Sequence, residues 1–330
     1  MPRLFSGVQP TGRKHIGTLI GAVRQWVSYQ ERGYDGIYCV VDLHSMATQY
    51  EVEDMRRSSL ELGALLVAAG IDPERSTLFV QSHVPEHSEL AWVLGCVTSM
   101  GELGRMTQFK DKAESRDFVP VGLFTYPVLQ AADIVLYDAE LVPVGDDQRQ
   151  HLELARDVAT RFNGRFGETF VIPRAITPAV GARLVDLQEP TRKMSTTQSS
   201  PTGILYAVDT EKATRKKIMG AVTDSGSDVR ADPDKPGITG LLELHAALSG
   251  ATVATLEERF AGAGYGAFKR SVADAAVEYL EPIWSRHAEL MSDPGELQRI
   301  LARGAERARE LAVPKMAQVR ERVGFVASSV

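Results

Sequence analysis

The sequence predicts an α/β protein, with a Rossmann-like parallel-sheet catalytic domain over residues 1–200 and an all-helical domain over 201–330. Three observations carry this. Short apolar runs rich in β-branched residues alternate with longer helical patterns through the first half, the mark of βαβ units. Near residue 200 the texture changes to helices separated by Gly and Pro turns. And 330 residues exceed the roughly 250–300 at which a single hydrophobic core stops growing.

Taken in order, the chain opens with a short apolar start that passes through Gly7, Gly12 and Gly17 into a helical run ("FSGVQPTGRKHIGTLIGA"). "DGIYCVVDLH" and "RSTLFVQSHV" have the continuous apolar character of strands buried on both faces. Between them "EDMRRSSLELGALLVAAG" places apolar residues at helical spacing and ends at Gly70, a suitable C-cap. "TYPVLQAADIVLYD" predicts a helix starting at Thr125 to Pro127, since Pro is welcome in a first turn. "AELVPVGDDQRQHLELARDVATRF" is a strand, a turn at Gly145 and a helix. Beyond residue 200, "GITGLLELHAALSG", "AFKRSVADAAVEYLEPIWSRHAELM" and "PGELQRILARGAERARELAVPKMAQVRERVGF" are helical, and the last is expected to pack back on the first domain.

Composition narrows the function. With 44% hydrophobic and 24% charged residues the chain falls in the range of soluble globular proteins. The N-terminus has no apolar stretch before a small-residue cleavage site, and no run reaches about 18 apolar residues, so a cytoplasmic protein without membrane contact is expected. Cys39 and Cys96 sit in apolar surroundings, which predicts buried, reduced thiols and no Cys-based metal site. A net charge of -6 argues against a nonspecific nucleic-acid coat and against DNA as a partner. The one basic run, Arg215 to Lys217, is better explained as a solvated helix face than as a phosphate contact.

Ligands of open α/β sheets bind outside the carboxyl ends of the strands, and three segments place unusual residues there. At the first, glycines allow close backbone approach before a helix N-terminus that favours an anion, and His15 is placed to donate to a phosphate or to lie on the surface. In the second, Tyr126, Gln130, Asp133 and Tyr137 recur at four, three and four residues, which puts them on one face of an otherwise apolar helix. A carboxylate there needs internal hydrogen bonds or a ligand with donors. In the third, Asp146, Asp147 and Gln148 open a helix after Gly145, where carboxylates suit the helix dipole and also a ribose or an ammonium group. His44 occupies the corresponding edge of another strand. No P-loop pattern, catalytic triad or metal-ligand cluster appears. Phosphate cradles without a nucleophile suit nucleotidyl transfer, where binding and charge stabilisation do most of the catalysis.

Six blocks, in order, are similar to the bacterial tryptophanyl-tRNA synthetases of class I: "SGVQPTG", "HIGT" at 15–18 for the HIGH signature, "MTQFKDK", "VPVGDDQRQH", "KMSTT" at 193–197 for the KMSKS loop, and "AVTDS". The resemblance implies a two-step reaction, in which L-tryptophan and Mg-ATP give tryptophanyl-adenylate and pyrophosphate, and tryptophan then passes to tRNA(Trp). It implies ATP with Mg2+ bound through the substrate phosphates, a homodimer, and a helical domain that reads the anticodon. Carried over by position, Asp133 would accept the indole N–H, with Phe5, Val142, Val144 and Gln130 around the ring. Tyr126 and Gln148 would hold the amino group, and His44 and Gln9 would lie near the carboxylate and α-phosphate. His15, Gly17, Thr18, Lys112 and Lys193 would meet the triphosphate, Gly145 and Asp147 the ribose, and the backbone around Met194 and Ser195 the adenine.

Two departures accompany the resemblance. Thr196 stands in place of the second KMSKS lysine, and Arg192 is the nearest candidate to replace its charge. Gln130 stands where many family members have Met, and the Tyr, Gln, Asp pattern also occurs in tyrosyl-tRNA synthetases, the nearest rival. Other HxGH-type nucleotidyltransferases, and a low-activity paralogue that senses tryptophan or tRNA, are the alternatives from other classes.

Overall fold

A computed structural model describes residues 1–48, 50–114, 118–145, 148–176, 184–196 and 199–326. Five strands, β1 (Arg3–Val8), β2 (Asp35–Val40), β3 (Thr77–Val80), β4 (Leu141–Pro143) and β5 (Arg174–Ile176), form one parallel sheet in the order β3-β2-β1-β4-β5. The sheet is built outward from β1 in both directions, so the topology reverses between β1 and β4. A crevice opens at the carboxyl ends of strands at such a switch point.

Alternate residues of each strand serve two different cores, as the two-residue repeat of a strand dictates. Leu4, Tyr38, Val40, Leu78 and Val80 face one cluster, while Phe5, Ile37, Cys39 and Phe79 face the other. Helices cover both faces: α1 (Ile16–Thr18), α2 (Arg24–Glu31), α3 (Asp42–Ser45), α4 (Val52–Ala68), α5 (Glu86–Gly95), α6 (Met100–Gly104), α7 (Thr107–Glu114), α8 (Val121–Val135) and α9 (Arg149–Phe166). A π-helical turn, Leu19–Val23, joins α1 to α2. The helix α4 ends as its sequence indicates, with Gly70 at φ +109° just past the C-cap Ala69.

The remaining helices, α10 (Glu211–Met219), α11 (Pro236–Ser249), α12 (Val253–Arg259), α13 (Gly264–Ser292) and α14 (Pro294–Val323), do not build a separate core. Ile218, Leu241, Phe268 and Leu280 share one cluster with Leu4 and Tyr38 of the sheet. Helix α14 crosses to the other side, where Ala305, Ala308, Ala312 and Met316 pack with Phe79 and Leu90. Its small residues bring it against β3, with Arg309 3.0 Å from Glu86 and Arg307 3.2 Å from Glu74 at the margins. Those ion pairs are partly exposed and contribute at most about 1 kcal/mol each, so the apolar seam is what holds α14 in place.

Two expectations are corrected. Helix α8 starts at Val121 after Pro120, not at Thr125, and Pro127 lies in its interior. Leu123, which is buried, and Phe124, edge-on to Phe109, hold the extra turn as helix and override the proline signal, at the loss of one N–H to the Leu123 carbonyl. Cys96 is exposed, because α5 ends at Gly95 and turns it outward, whereas Cys39 in β2 is buried as expected.

Gly304 gives a direct test of the α14 seam. A Cβ there would stand 1.8 Å from the Leu78 carbonyl oxygen, a backbone atom that cannot swing away. Gly→Ala in a helix interior normally stabilises by about 1 kcal/mol. Overpacking against backbone costs about 1–3 kcal/mol or more, so Gly304→Ala should be net destabilising and lower the urea midpoint.

Candidate active site

The crevice at the switch point holds a cleft of about 810 Å³, in the size range of small-molecule sites. Its walls come from β1 (Phe5 to Val8), the turn that follows (Gln9, Gly12 to His15), β4 (Val142 to Val144) and the inner face of α8 (Tyr126, Gln130, Asp133). Gly12 turns the chain at φ +69°, which lets Arg13, Lys14 and His15 face back over the opening.

The floor is organised around Asp133, only 1% exposed. One carboxylate oxygen accepts from Gln81 Nε2 at 2.6 Å and lies 2.6 Å from His87 Nδ1; the other lies 2.8 Å from His44 Nε2. Burial by itself raises this carboxyl, but the His87 and His44 imidazoles beside it outweigh burial and hold it well below the usual carboxylate range. Tyr137, one turn beyond Asp133, lies beneath the cleft with its hydroxyl 2.8 Å from His87 Nε2. Higher on the same helix face, the Tyr126 hydroxyl meets His151 Nε2 at 2.7 Å and Gln108 at 3.2 Å, and Gln130 donates to Gln148 at 3.3 Å. The stripe seen in the sequence is therefore both an internal network and the lining of a cavity.

The opposite wall is cationic. His15 caps α1, its Nδ1 accepting from the Gly17 N–H at 3.1 Å. Burial, then the charges of Lys193 and Lys14, push His15 down to about 4. It is neutral at pH 7, and because Nδ1 is an acceptor the ring proton sits on Nε2, which remains a donor. Lys14 Nζ donates to the Thr11 carbonyl at 2.6 Å, and burial lowers this lysine to about 8.

The polar loop behind this wall is anchored at its root. Asp186 accepts from the N–H groups of Gln188 (2.7 Å) and Glu189 (3.0 Å), and its own N–H donates to the Arg192 carbonyl. Past the loop, the Ile16 N–H donates to Leu205 and the Ala207 N–H to Lys14, tying the His15 turn to the loop's exit. Arg13 lies 4.0 Å over the Tyr206 ring and 2.9 Å from Asp209, which also pairs with Lys217. Arg215 pairs with Glu211 and Asp274, so two of the three basic-run residues are taken up within the protein.

Most expected site residues meet at this cleft: Phe5, Gln9, His15, Thr18, His44, Tyr126, Gln130, Asp133, Val142, Val144 and Gln148 all line it. Others do not. Gly17 packs its α-carbon against the His15 ring, where a Cβ would stand 2.6 Å away, and the Gly145 carbonyl accepts from the Gln148 N–H. Met194 is a core residue, 2% exposed, its N–H given to the Leu184 carbonyl, and the Ser195 N–H is given to Ser199. Lys193 is exposed beside the cleft, near enough for its charge to act on His15. Arg192, the candidate to replace the loop lysine's charge, pairs with Glu189 at 2.7 Å at the exposed root of the loop. Asp147 and the Lys112 side chain lie outside the described residues. Gln81, His87, His151 and Lys14 were not singled out from the sequence.

The displaced His15 titration makes a signed prediction. Between pH 6.5 and about 4 the unfolded chain binds a proton at His15 that the folded chain does not, so acid lowers stability through that window. Asn can cap α1 in the same way, and His15→Asn should lose less stability than the parent between pH 7 and 4.5 in urea titrations. Parallel losses would rule out His15 as a contributor.

Known proteins match along almost the whole chain. A family model described as tRNA synthetases class I (W and Y) matches residues 1–281. The chain is 50% identical to tryptophan–tRNA ligase 2 of Streptomyces avermitilis over 329 residues, covering 98% of this chain and 97% of that one. It is also 50% identical to the tryptophan–tRNA ligase of Mycobacterium leprae over 331 residues, covering 98% and 96%. The crystal structure of the Campylobacter jejuni tryptophanyl-tRNA synthetase complexed with ADP and tryptophan superposes with a TM-score of 0.87 at 34% identity, covering 98% of this chain and all of that one. With the parallel sheet, the switch-point cleft and these matches along nearly its whole length, the chain belongs to the class I tRNA synthetases of the tryptophan and tyrosine family.

Proposed function

We propose that this protein is a tryptophan–tRNA ligase that activates L-tryptophan with ATP and passes it to tRNA(Trp). The observation that carries this is one cleft with an acceptor at its apolar floor and cations at its mouth. A carboxylate has about four lone-pair sites, and three are used by Gln81, His87 and His44. The fourth is left for an indole N–H, with Phe5, Val142, Val144 and Gln130 around the ring. Tyr126 and Gln148 hold the ammonium group, and His44 and Gln9 stand toward the carboxylate. The triphosphate lies against the turn, meeting the His15 Nε2–H, Thr18, Lys112 and Lys193. Gly145 and Asp147 take the ribose, and the loop backbone at Met194 and Ser195 takes the adenine.

The tryptophan carboxylate attacks the α-phosphorus, forming an acyl–phosphate bond while the bond to pyrophosphate breaks. The nucleophile is already ionised at neutral pH, so the protein's task is alignment and stabilisation of phosphate charge. Among the described residues no cluster of three or more His, Cys, Asp or Glu could hold a metal ion. Mg2+ would be carried by the ATP phosphates, whose charge it would neutralise.

The helical region is assigned to anticodon reading, and its tRNA contacts should weaken with salt. A homodimer is supported by exposed apolar side chains on neighbouring elements, Trp92 on α5, Met100 on α6 and Val121 on α8. No described helix is long and apolar enough to cross a membrane.

Tyrosine is the competitor to exclude. Both side chains carry a donor, so selectivity rests on reach and shape: a donor that falls short of Asp133 leaves the buried carboxylate's last site unpaired. Tryptophan-dependent ATP–pyrophosphate exchange should exceed tyrosine-dependent exchange by about a thousandfold or more, and Lys193→Ala should abolish most of it. Equal exchange with tyrosine, or none with tryptophan, would overturn the assignment.

A further inference from the structure

Lys14 is a half-buried cation without an opposite charge. It lines the cleft beside His15 and gives its ammonium only to the Thr11 carbonyl, with no carboxylate among its described partners. Partial desolvation of an unpaired charge carries a cost, and a Leu or Met would fill the same turn without that penalty. Apart from Lys193, the cations around it are engaged elsewhere. Arg13 pairs with Asp209 and covers Tyr206, Lys217 pairs with the same Asp209, and Arg192 pairs with Glu189. From the described residues of the loop, Thr196 reaches the cleft wall and brings a hydroxyl and no charge.

We propose that Lys14 is a catalytic residue of this protein, supplying from the β1 turn the phosphate-binding charge that the loop lacks at Thr196. The inference rests on the tryptophan-activating function proposed above. Lys14 is positioned for the β- and γ-phosphates because it adjoins His15 on the wall where the turn meets the loop. Its field already acts on His15, helping to keep that imidazole neutral, so the two groups present one ammonium and one neutral N–H donor to the same polyanion. At pH 7 Lys14 remains mainly cationic, since burial lowers it only to about 8. The cost of holding it there is offset when pyrophosphate or ATP supplies the missing negative charge.

A purely structural role, stapling the turn through the Thr11 carbonyl, makes different predictions. Loss of a charge-assisted contact should reduce ATP–pyrophosphate exchange by about ten- to a hundredfold. We expect Lys14→Met to do this and to weaken inorganic pyrophosphate binding, measured by calorimetry, at least tenfold, with tryptophan affinity unchanged. Lys14→Arg should retain most activity. Thr196→Lys should restore exchange in the Lys14→Met background by a larger factor than it gains in the parent. Exchange within twofold of the parent in Lys14→Met overturns the inference, as does equal loss of tryptophan and pyrophosphate binding with no rescue by Thr196→Lys. If the parent itself shows no tryptophan-dependent exchange, the functional assignment fails. The calorimetric comparison then still decides whether Lys14 binds pyrophosphate.

Discussion

The Asp133 carboxylate is the fixed point of this molecule. It is an anion with 1% of its surface exposed, and it is tolerable only because donors from three separate segments converge on it. His44 follows β2, Gln81 follows β3 and His87 opens α5, while Asp133 itself sits on α8. Each charge-assisted hydrogen bond contributes about 1.5–3 kcal/mol net, whereas a buried charge that loses a partner costs about 3–5 kcal/mol. The register of two strand ends and of α5 against α8 is thereby locked by one group. The floor of the cleft inherits that rigidity, which is what a recognition surface for a small rigid ring requires.

The mouth is held differently. Two backbone hydrogen bonds join the His15 turn to residues 205–207, and the loop between is closed at its root by Asp186 and Gly203, where any Cβ would strike the Asp186 carboxyl. These contacts fix where the loop begins and ends. The two cations at its root, which look redundant in the sequence, separate in space. Arg192 is spent on Glu189 outside, and Lys193 faces the side where it can influence His15.

Much of this was legible because helix and strand periodicities are strict. The doubly buried strands, the Gly70 stop and the face shared by Tyr126, Gln130 and Asp133 follow from spacing alone, and the structure bears each out. The start of α8 was not legible, since a proline in a helix interior is indistinguishable locally from one in a first turn. Gln81 and His87 were missed for another reason. Their role depends on which strand ends lie beside α8, a tertiary fact with no local signature. Lys14 was hidden by its neighbours: within "GRKHIG" it looks like one more exposed cation, and only its burial distinguishes it.

The resulting cleft is electrically polarised, and the polarity decides the kind of catalysis it can perform. An anion lies at the floor, partly balanced by two imidazoles, and cations crowd the mouth. In the proposed reading, an amino acid with a ring N–H would enter floor first, which would direct its carboxylate toward the mouth. Burial, then the charges of Lys193 and Lys14, keep His15 neutral, so it cannot act as a proton donor of useful strength at pH 7. Nothing is lost by this, because a carboxylate attacking phosphorus has no proton to give up and pyrophosphate leaves as an anion. A site organised by fixed charges and neutral donors suits that chemistry, and a site built around a titrating histidine would not.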